Sequence, residues 1–463
     1  MKKVVIIGGG LGGLTAGALL AKDGYKVTLL EQHKIVGGCA TTFKRQGGFT
    51  CEVGLHEMDG VYSPAIKKIF DKLEVYKNIE FVKPKEFFKV HSEFGEFIMP
   101  DGVENAKNAL KEKFQNETQA IDNYFEIIFS LANSLEKLSH LQWYHYPLFP
   151  FFFYKLLKYK NKSVTEVLDD LTQNEELKLI LNANIQYYND SPNTLSILLH
   201  AVAQSSYYRD GGYFIKGGSY KLSEYLANVI KQNSGEVITK ATVIKASKNE
   251  VTYSYHNNNI ILKADSVISN ISPADTYKLF DIAYKEEKQI AESISTIYIG
   301  FVKNLKSVYG KGAYSNFIVE ENKTFVFVDY SQIDSGLVEN TKSFGEICIS
   351  DELKNWESLS GEEYKKQKEE LLKNCLDTLE VYYPNIKEII EFTEVATPKT
   401  MVRYTKTPNG TAYGYKPTPK QFFRVPKIKS DKIDNLYFVG QFVIAGGFSP
   451  AILSGYMCFQ TKK

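Results

Sequence analysis

The sequence predicts an α/β protein whose parallel sheet draws strands from both ends of the chain and is interleaved with an α+β unit. Three observations lead there. An apolar run at residues 4–7 breaks into glycines and is followed by a helical stretch and a second apolar run. A similar strand, glycine loop and helix close the chain at residues 436–459. Between them, alternating strand patterns and amphipathic helical patterns succeed one another without a repeat or a long linker.

The opening stretch reads KVVIIGGGLGGLTAGALLAKDGYKVTLLEQHKIVGG. Residues 4–7 suit a buried parallel strand. Gly8, Gly10 and Gly13 follow with G-x-G-x-x-G spacing, then a helix over residues 14–22 and a strand over 26–30 ending at Glu31. Strand, glycine turn, helix, strand and acid in this order are the βαβ dinucleotide-binding unit. Gly8 permits the tight turn, Gly10 lets a pyrophosphate approach the backbone, and Gly13 lets helix and strand pack closely. The helix N-terminus offers N–H groups and a positive dipole end to phosphates. Glu31 stands where a carboxylate accepts hydrogen bonds from ribose hydroxyls, and its charge disfavours a 2′-phosphate, hence NADP. Leu11, Gly12, Gln32, Gly37, Gly38 and Cys39 complete the candidate cofactor contacts of this region.

The residues that follow, CATTFKRQGGFTCEVGLHEM, resemble the extended signature of two-dinucleotide-binding flavoproteins. They resemble more closely the phytoene desaturase, carotenoid isomerase and retinol saturase group. Cys51 and Glu52 stand where a Phe-Asp pair is more usual. The resemblance implies a Rossmann-like FAD domain interleaved with an α+β substrate domain, with FAD as cofactor. It also implies redox chemistry at carbon–carbon bonds of a polyene, isoprenoid or other lipid-like substrate. Further blocks carry it. GGYFIKGG at residues 211–218 precedes a helix, GEVITKATV places Val243 where a valine backbone meets the adenine, and residues 264–270 resemble the strand that returns to the nucleotide sheet. The closing GQFVIAGGFSPAILSG places Gly440, Ala451 and Ile452 at the flavin, with Gln441 where many flavoproteins carry Asp. Within GLHEM, His56 is the candidate catalytic residue at the flavin face; Tyr213, Lys216, Arg403 and Tyr413 are weaker candidates.

These blocks divide the chain into an FAD-binding domain over residues 1–80, 207–275 and 425–463 and a substrate domain over 81–206 and 276–424. A helix over residues 63–73 falls in the first FAD-domain segment, and the substrate domain opens with a strand and hairpin turning near Gly95, then a helical region over 101–138. Residues 141–157 read LQWYHYPLFPFFFYKLL, too short and too broken by Pro147 and Pro150 to span a bilayer. Two readings compete for it: packing between helices, or a membrane-docking segment over 141–160, with rings at the headgroup boundary and lysines toward anionic lipid. Strands are expected at 297–302, 316–329 and 344–350, with a charged helix at 361–381.

With 463 residues the chain can bury a large core in two or more domains. A net charge of +2 and only four arginines argue against a nucleic-acid partner. Five cysteines without C-x-x-C spacing suggest a reducing compartment and no metal site. A cytoplasmic location, peripheral on the inner membrane, is expected. No second strand–G-x-G-x-x-G–helix unit implies a dedicated NAD(P)H domain, so the electron partner stays open. Three activities are compatible with the sequence: a desaturase or saturase, a non-redox polyene isomerase using reduced FAD, and a flavin- or lipid-binding protein without turnover.

Overall fold

The computed structural model describes residues 2–54, 57–139, 153–188, 191–320, 323–424 and 426–462. Its organising layer is a five-stranded parallel sheet, in the order Glu236–Ile238, Lys26–Leu30, Lys3–Ile7, Ser266–Ser269 and Leu436–Phe438. The three inner strands are buried on both faces, as their continuous apolar runs require. Alternation along Lys3–Ile7 assigns the faces. Val4 and Ile6 join the core beneath helix Leu11–Lys22, whereas Val5 and Ile7 face a three-stranded antiparallel sheet through Val251, Tyr253 and Ala246.

Helix Leu11–Lys22 is held between Tyr220–Gln232 and Phe448–Lys462. Its composition, LGGLTAGALLAK, is what permits this. A Cβ at Gly17 would sit 2.8 Å from Ile230 Cδ1 and 2.9 Å from Ile6 Cδ1, and a Cβ at Gly455 only 2.6 Å from the Gly12 carbonyl oxygen. The helix begins at Leu11, three residues before the start the sequence suggests, because the glycine turn is itself the helix N-cap: Gly10 holds extended backbone.

The second layer is a seven-stranded mixed sheet, in the order Ile390–Ala396, Ser293–Phe301, Ser343–Asp351, Lys323–Asp329, Ser315–Glu320, Glu86–Ser92 and Gly95–Pro100. Every residue of Ser293–Phe301 is buried. The charged helix Gly361–Tyr382 covers one face through Cys375 and Leu379, against Ile297, Ile299 and Phe327. The expected single strand over 316–329 is a hairpin, with Ser315 opposite Val328 and Glu320 opposite Lys323. The alternating pattern runs through both arms, so periodicity does not mark the reversal. The helical region over 101–138 is likewise two helices, Val103–Lys113 and Thr118–Ser139, separated where Phe114 leaves helical backbone.

Helices Thr118–Ser139, Val164–Leu171, Glu175–Asn182 and Ile197–Asp210 pack beside the second sheet. Of the aromatic segment, residues 141–152 lie outside the described residues. Phe153, Leu156 and Tyr159 are buried in the core, while Tyr154 and Leu157 are exposed. Among the described residues no helix is long and apolar enough to cross a membrane.

Candidate active site

One cavity of about 1290 Å³ lies where the two layers meet. It exceeds the roughly 300–1,000 Å³ typical of a small-molecule pocket, which suits a dinucleotide together with a second molecule.

One end is built on the parallel sheet. Gly8, Gly10, Leu11, Gly12, Glu31, Gln32, Gly37, Gly38, Cys39, Val243, Gly440 and Ala451 all line the cavity. Gly13 and Ile452 lie behind this lining. Gly13 packs behind the turn, where its Cβ would be 2.5 Å from the Gly8 carbonyl oxygen, and Ile452 is wholly buried in the core.

The turn has the features of an anion cradle. Gly8 has a φ of 92°, which an L side chain rarely adopts. Helix Leu11–Lys22 starts without a side-chain cap and without an acidic residue in its first turn, so its N-terminal dipole faces the cavity unneutralised. Glu31 is only 9 % exposed. Its Oε2 accepts from the Gly9 N–H at 2.7 Å and its Oε1 from the His33 N–H at 2.7 Å. Each oxygen keeps acceptor capacity toward the cavity, as ribose hydroxyls need. An uncapped helix start, a glycine turn and a fixed buried carboxylate fit the ADP half of FAD.

The sequence motif missed the residue that holds this cradle together. Asn270, at the end of the return strand, accepts from the Gly13 N–H at 3.0 Å through Oδ1. A Cβ on Gly10 would lie 2.5 Å from Asn270 Nδ2, and one on Gly12 would lie 2.6 Å from the Gly440 nitrogen and 2.7 Å from Asn270 Oδ1. The absence of a Cβ at Gly10 thus makes room for the asparagine amide as well as for a ligand. Gly440 is fixed in turn by its N–H, which donates to Ser454 Oγ at 2.7 Å. The asparagine in the sequence signature of the return strand is the only local sign of this role.

The other end of the cavity is apolar and aromatic. Leu199, Val202 and Ala203 from helix Ile197–Asp210 face Ile294 and Tyr298 of the second sheet, with Tyr413 and Phe442 nearer the closing block. Burial pushes the thiols of Cys39 and Cys348 up to about 11 and about 12, so neither is a ready nucleophile. Burial likewise raises the phenols of Tyr298 and Tyr413.

Glu57 and Asp59 also line the cavity. Both carboxyls are pushed up by desolvation, Glu57 to about 8. The Ser449 hydroxyl donates to the Asp59 carbonyl at 2.7 Å, tying this strand to the closing helix. His56 lies outside the described residues. Of the weaker candidates, Tyr413 lines the cavity; Tyr213 and Arg403 do not, and Lys216 pairs with Glu80 and Asp334 at the surface. Among the described residues no group of His, Cys, Asp and Glu could hold a metal ion.

Known proteins extend the same assignment. Residues 6–73 match the family model of an NAD(P)-binding Rossmann-like domain. All-trans-retinol 13,14-reductase of Danio rerio is 25 % identical over 98 % of this chain and 84 % of its own. Another Danio rerio protein, named an inactive all-trans-retinol 13,14-reductase, is 23 % identical over 99 % of this chain and 85 % of its own. Prolycopene isomerase of Daucus carota is 27 % identical over 98 % and 78 %, and 4,4'-diaponeurosporene oxygenase of Staphylococcus aureus 26 % identical over 98 % and 96 %. A solved putrescine oxidase variant shares the fold, with a TM-score of 0.70 and 16 % identity over 99 % of this chain and 98 % of its own. Along nearly its whole length, then, the chain is similar to proteins named for retinol reduction, carotenoid isomerisation and carotenoid oxygenation.

Proposed function

We propose that the protein is an FAD-dependent oxidoreductase that adds or removes hydrogens at carbon–carbon bonds of a polyene, isoprenoid or other lipid-like substrate. One observation carries this reading. A single cavity joins the glycine turn and Glu31 to the apolar wall of Leu199, Val202, Ala203 and Ile294. A dinucleotide at one end would leave its reactive ring beside space shaped for an apolar chain. Relatives named for retinol and carotenoid chemistry support the same substrate class.

Residues 1–80, 207–275 and 425–463 are assigned to the FAD-binding domain, and 81–206 with 276–424 to the substrate domain. Gly8, Gly10, Leu11 and Gly12 would hold the pyrophosphate, and Glu31 with Gln32 the ribose. Val243 would hold the adenine, and Gly37, Gly38, Cys39, Gly440 and Ala451 the ribityl and ring end. Bound FAD would supply two-electron hydride transfer. The protein orients the substrate along the apolar wall and excludes water from the reacting carbon. Exposed Tyr154 and Leu157, on a short helix that also carries Lys155 and Lys158, are assigned a membrane contact during substrate uptake.

Purified protein should be yellow and release FAD on denaturation; release of NAD, or of no nucleotide, overturns the cofactor. Lipid extracts from cells with and without the gene, compared by mass spectrometry, should differ in a polyene or isoprenoid by two hydrogens. The isomerase-like relative favours a second reading, cis–trans isomerisation with reduced FAD. That reading requires a product of unchanged mass and no net consumption of an electron donor or acceptor.

A further inference from the structure

We propose that Tyr187, Ser315 and Glu57 form a proton wire through the cavity wall, with Tyr187 as the group that gives a proton to the substrate carbon or takes one from it. The inference rests on the oxidoreductase reading above.

The groups are connected in a line. The Tyr187 hydroxyl donates to Ser315 Oγ, and the Ser315 hydroxyl donates to Glu57 Oε1 at 3.3 Å. Tyr187 and Glu57 both line the cavity, and Ser315 is fully buried between them. Rings fix the tyrosine: Phe317 lies edge-on at 5.1 Å and Tyr207 tilted at 5.8 Å. Glu57 has a second aspect. It also borders a small cleft with Pro84, Glu86, Phe87, Asp101 and Gly212. There Asp101 pairs with Lys83 at 2.6 Å, and both side chains are about a third exposed, at 30 % and 37 %. The wire therefore has one end in the cavity and the other beside a partly exposed ion pair.

The groups facing Glu57 decide which form it takes. Desolvation and the Asp101 charge favour the acid, and the Ser315 hydrogen bond and Lys83 favour the carboxylate. Glu86 borders the same cleft, Tyr314 is near enough to feel the carboxylate, and the Tyr207 hydroxyl donates to the Glu57 carbonyl at 3.4 Å. Desolvation dominates, so Glu57 is a stored proton at neutral pH.

Hydrogenation of a carbon–carbon double bond needs such a store. The π bond breaks as one carbon takes a hydride with both electrons, which a bound reduced flavin would supply through its own two-electron oxidation. The other carbon receives a proton from the Tyr187 hydroxyl. Tyr187 is reprotonated by Ser315 and Ser315 by Glu57, and the resulting carboxylate recovers its proton from solvent at the Lys83–Asp101 side. Dehydrogenation runs each transfer in reverse, with Glu57 beginning as the carboxylate. An apolar cavity offers no bulk water for this proton, so a protein group has to carry it.

Glu57→Gln keeps the size and the acceptor oxygen but cannot pass a proton, and Tyr187→Phe removes the terminal hydroxyl. Infrared difference spectra of holoprotein without substrate, recorded between pH 6 and 10, should show a protonated-carboxyl C=O band at neutral pH. In the wild-type minus Glu57→Gln difference, which removes the bands of the other buried acids, the Glu57 contribution should vanish as pH rises through about 8. With a lipid the wild type turns over, both variants should lose about 100-fold or more in kcat, with flavin content and substrate Kd unchanged. The wild-type rate should fall as pH rises through 8 for hydrogenation, or rise for dehydrogenation, and this limb should disappear in Glu57→Gln. Glu57→Asp should recover part of the rate. An ionised Glu57 at neutral pH, or an unaltered pH profile in Glu57→Gln, overturns the wire while leaving the oxidoreductase reading intact. A Glu57 band as expected in a protein that binds no FAD overturns that reading, and with it the role of the wire.

Discussion

The Gly13 N–H donates to Asn270 Oδ1 at 3.0 Å across a separation of 257 residues. This one bond ties the glycine turn to the strand beside it, and the same amide fills the space left by Gly10 and Gly12. Asn270→Ala should leave the Gly13 N–H unpaired at a cost of about 1–3 kcal/mol. Asn270→Asp keeps the acceptor but places a negative charge next to the pyrophosphate position. We expect the alanine variant to lower both Tm and flavin content. The aspartate variant should lose flavin at a nearly normal apoprotein Tm, and equal flavin occupancy in both would contradict the cradle described above.

A second prediction separates two glycines. Gly10→Val forces a side chain onto the Asn270 amide, which can move, and into the ligand space. Gly12→Val drives a side chain onto the Gly440 backbone, which cannot move without opening the closing loop. The first variant should fold and lack flavin. The second should also unfold at lower temperature. Absorbance of the bound flavin and thermal unfolding of the apoprotein measure the two effects separately.

Two buried acids predict how stability changes with pH. Glu52 and Glu346 are 0 % and 1 % exposed, and the Glu52 charge adds to the desolvation that raises Glu346. Glu52 accepts from the Ser219 N–H at 2.7 Å, and Glu346 from the Tyr330 hydroxyl at 3.1 Å. Desolvation pushes Glu52 from 4.5 up to about 7, and Glu346 well above the usual carboxylate range. The folded state thus retains protons that the unfolded chain has released. Stability is greatest below pH 4.5 as far as these groups are concerned and falls as pH rises through their folded values. For Glu52 the loss is about 3 kcal/mol across that window. Glu346→Gln should flatten the decline of Tm between pH 5 and 9. A steeper decline in the variant would contradict the assignment.

Phe153 offers a test of the aromatic segment from its described end. It is 3 % exposed within the main core. Phe153→Ser should destabilise the protein by about 3–5 kcal/mol, the range of large-to-small changes at buried phenylalanines. Tyr154→Ser, at a 65 % exposed position, should leave Tm within about 1 °C. Any effect of Tyr154→Ser on liposome co-sedimentation then reports surface contact and not unfolding.

The difference between what was and was not legible follows from range. The first βαβ unit is readable because strand, turn and helix are neighbours in one window, although the contacts that require Gly10 and Gly12 come from Asn270 and Gly440. The 315–329 hairpin is not, because alternation continues through both arms and no Asn-Gly or Gly-Gly pair marks the bend. The closing block is legible from its own glycines, whereas nothing local marks Asn270 beyond its place at the end of the return strand. Its partners at Gly10, Gly12, Gly13 and Gly440 are invisible to any local window. Glu57 follows His56 in GLHEM. Its partners, Ser315 and Tyr187, come from distant elements and belong to no motif. Burial, which makes Glu57 an acid, is a property of the assembled layers alone.

The parallel sheet has a further consequence for how the protein is made. Its central strand is Lys3–Ile7, yet its edge strand is Leu436–Phe438, and the helix that seats Gly455 on Gly12 follows that. A ribosome that has already released the whole seven-stranded sheet still holds the residues that complete the cradle. Flavin capture therefore has to be a late event, after the intervening sheets and helices have had time to fold around an unfinished edge. Until Leu436–Phe438 docks, the strand Ser266–Ser269 presents open backbone groups to its surroundings. The interval between its synthesis and that docking is when the nascent chain is most exposed to mispairing.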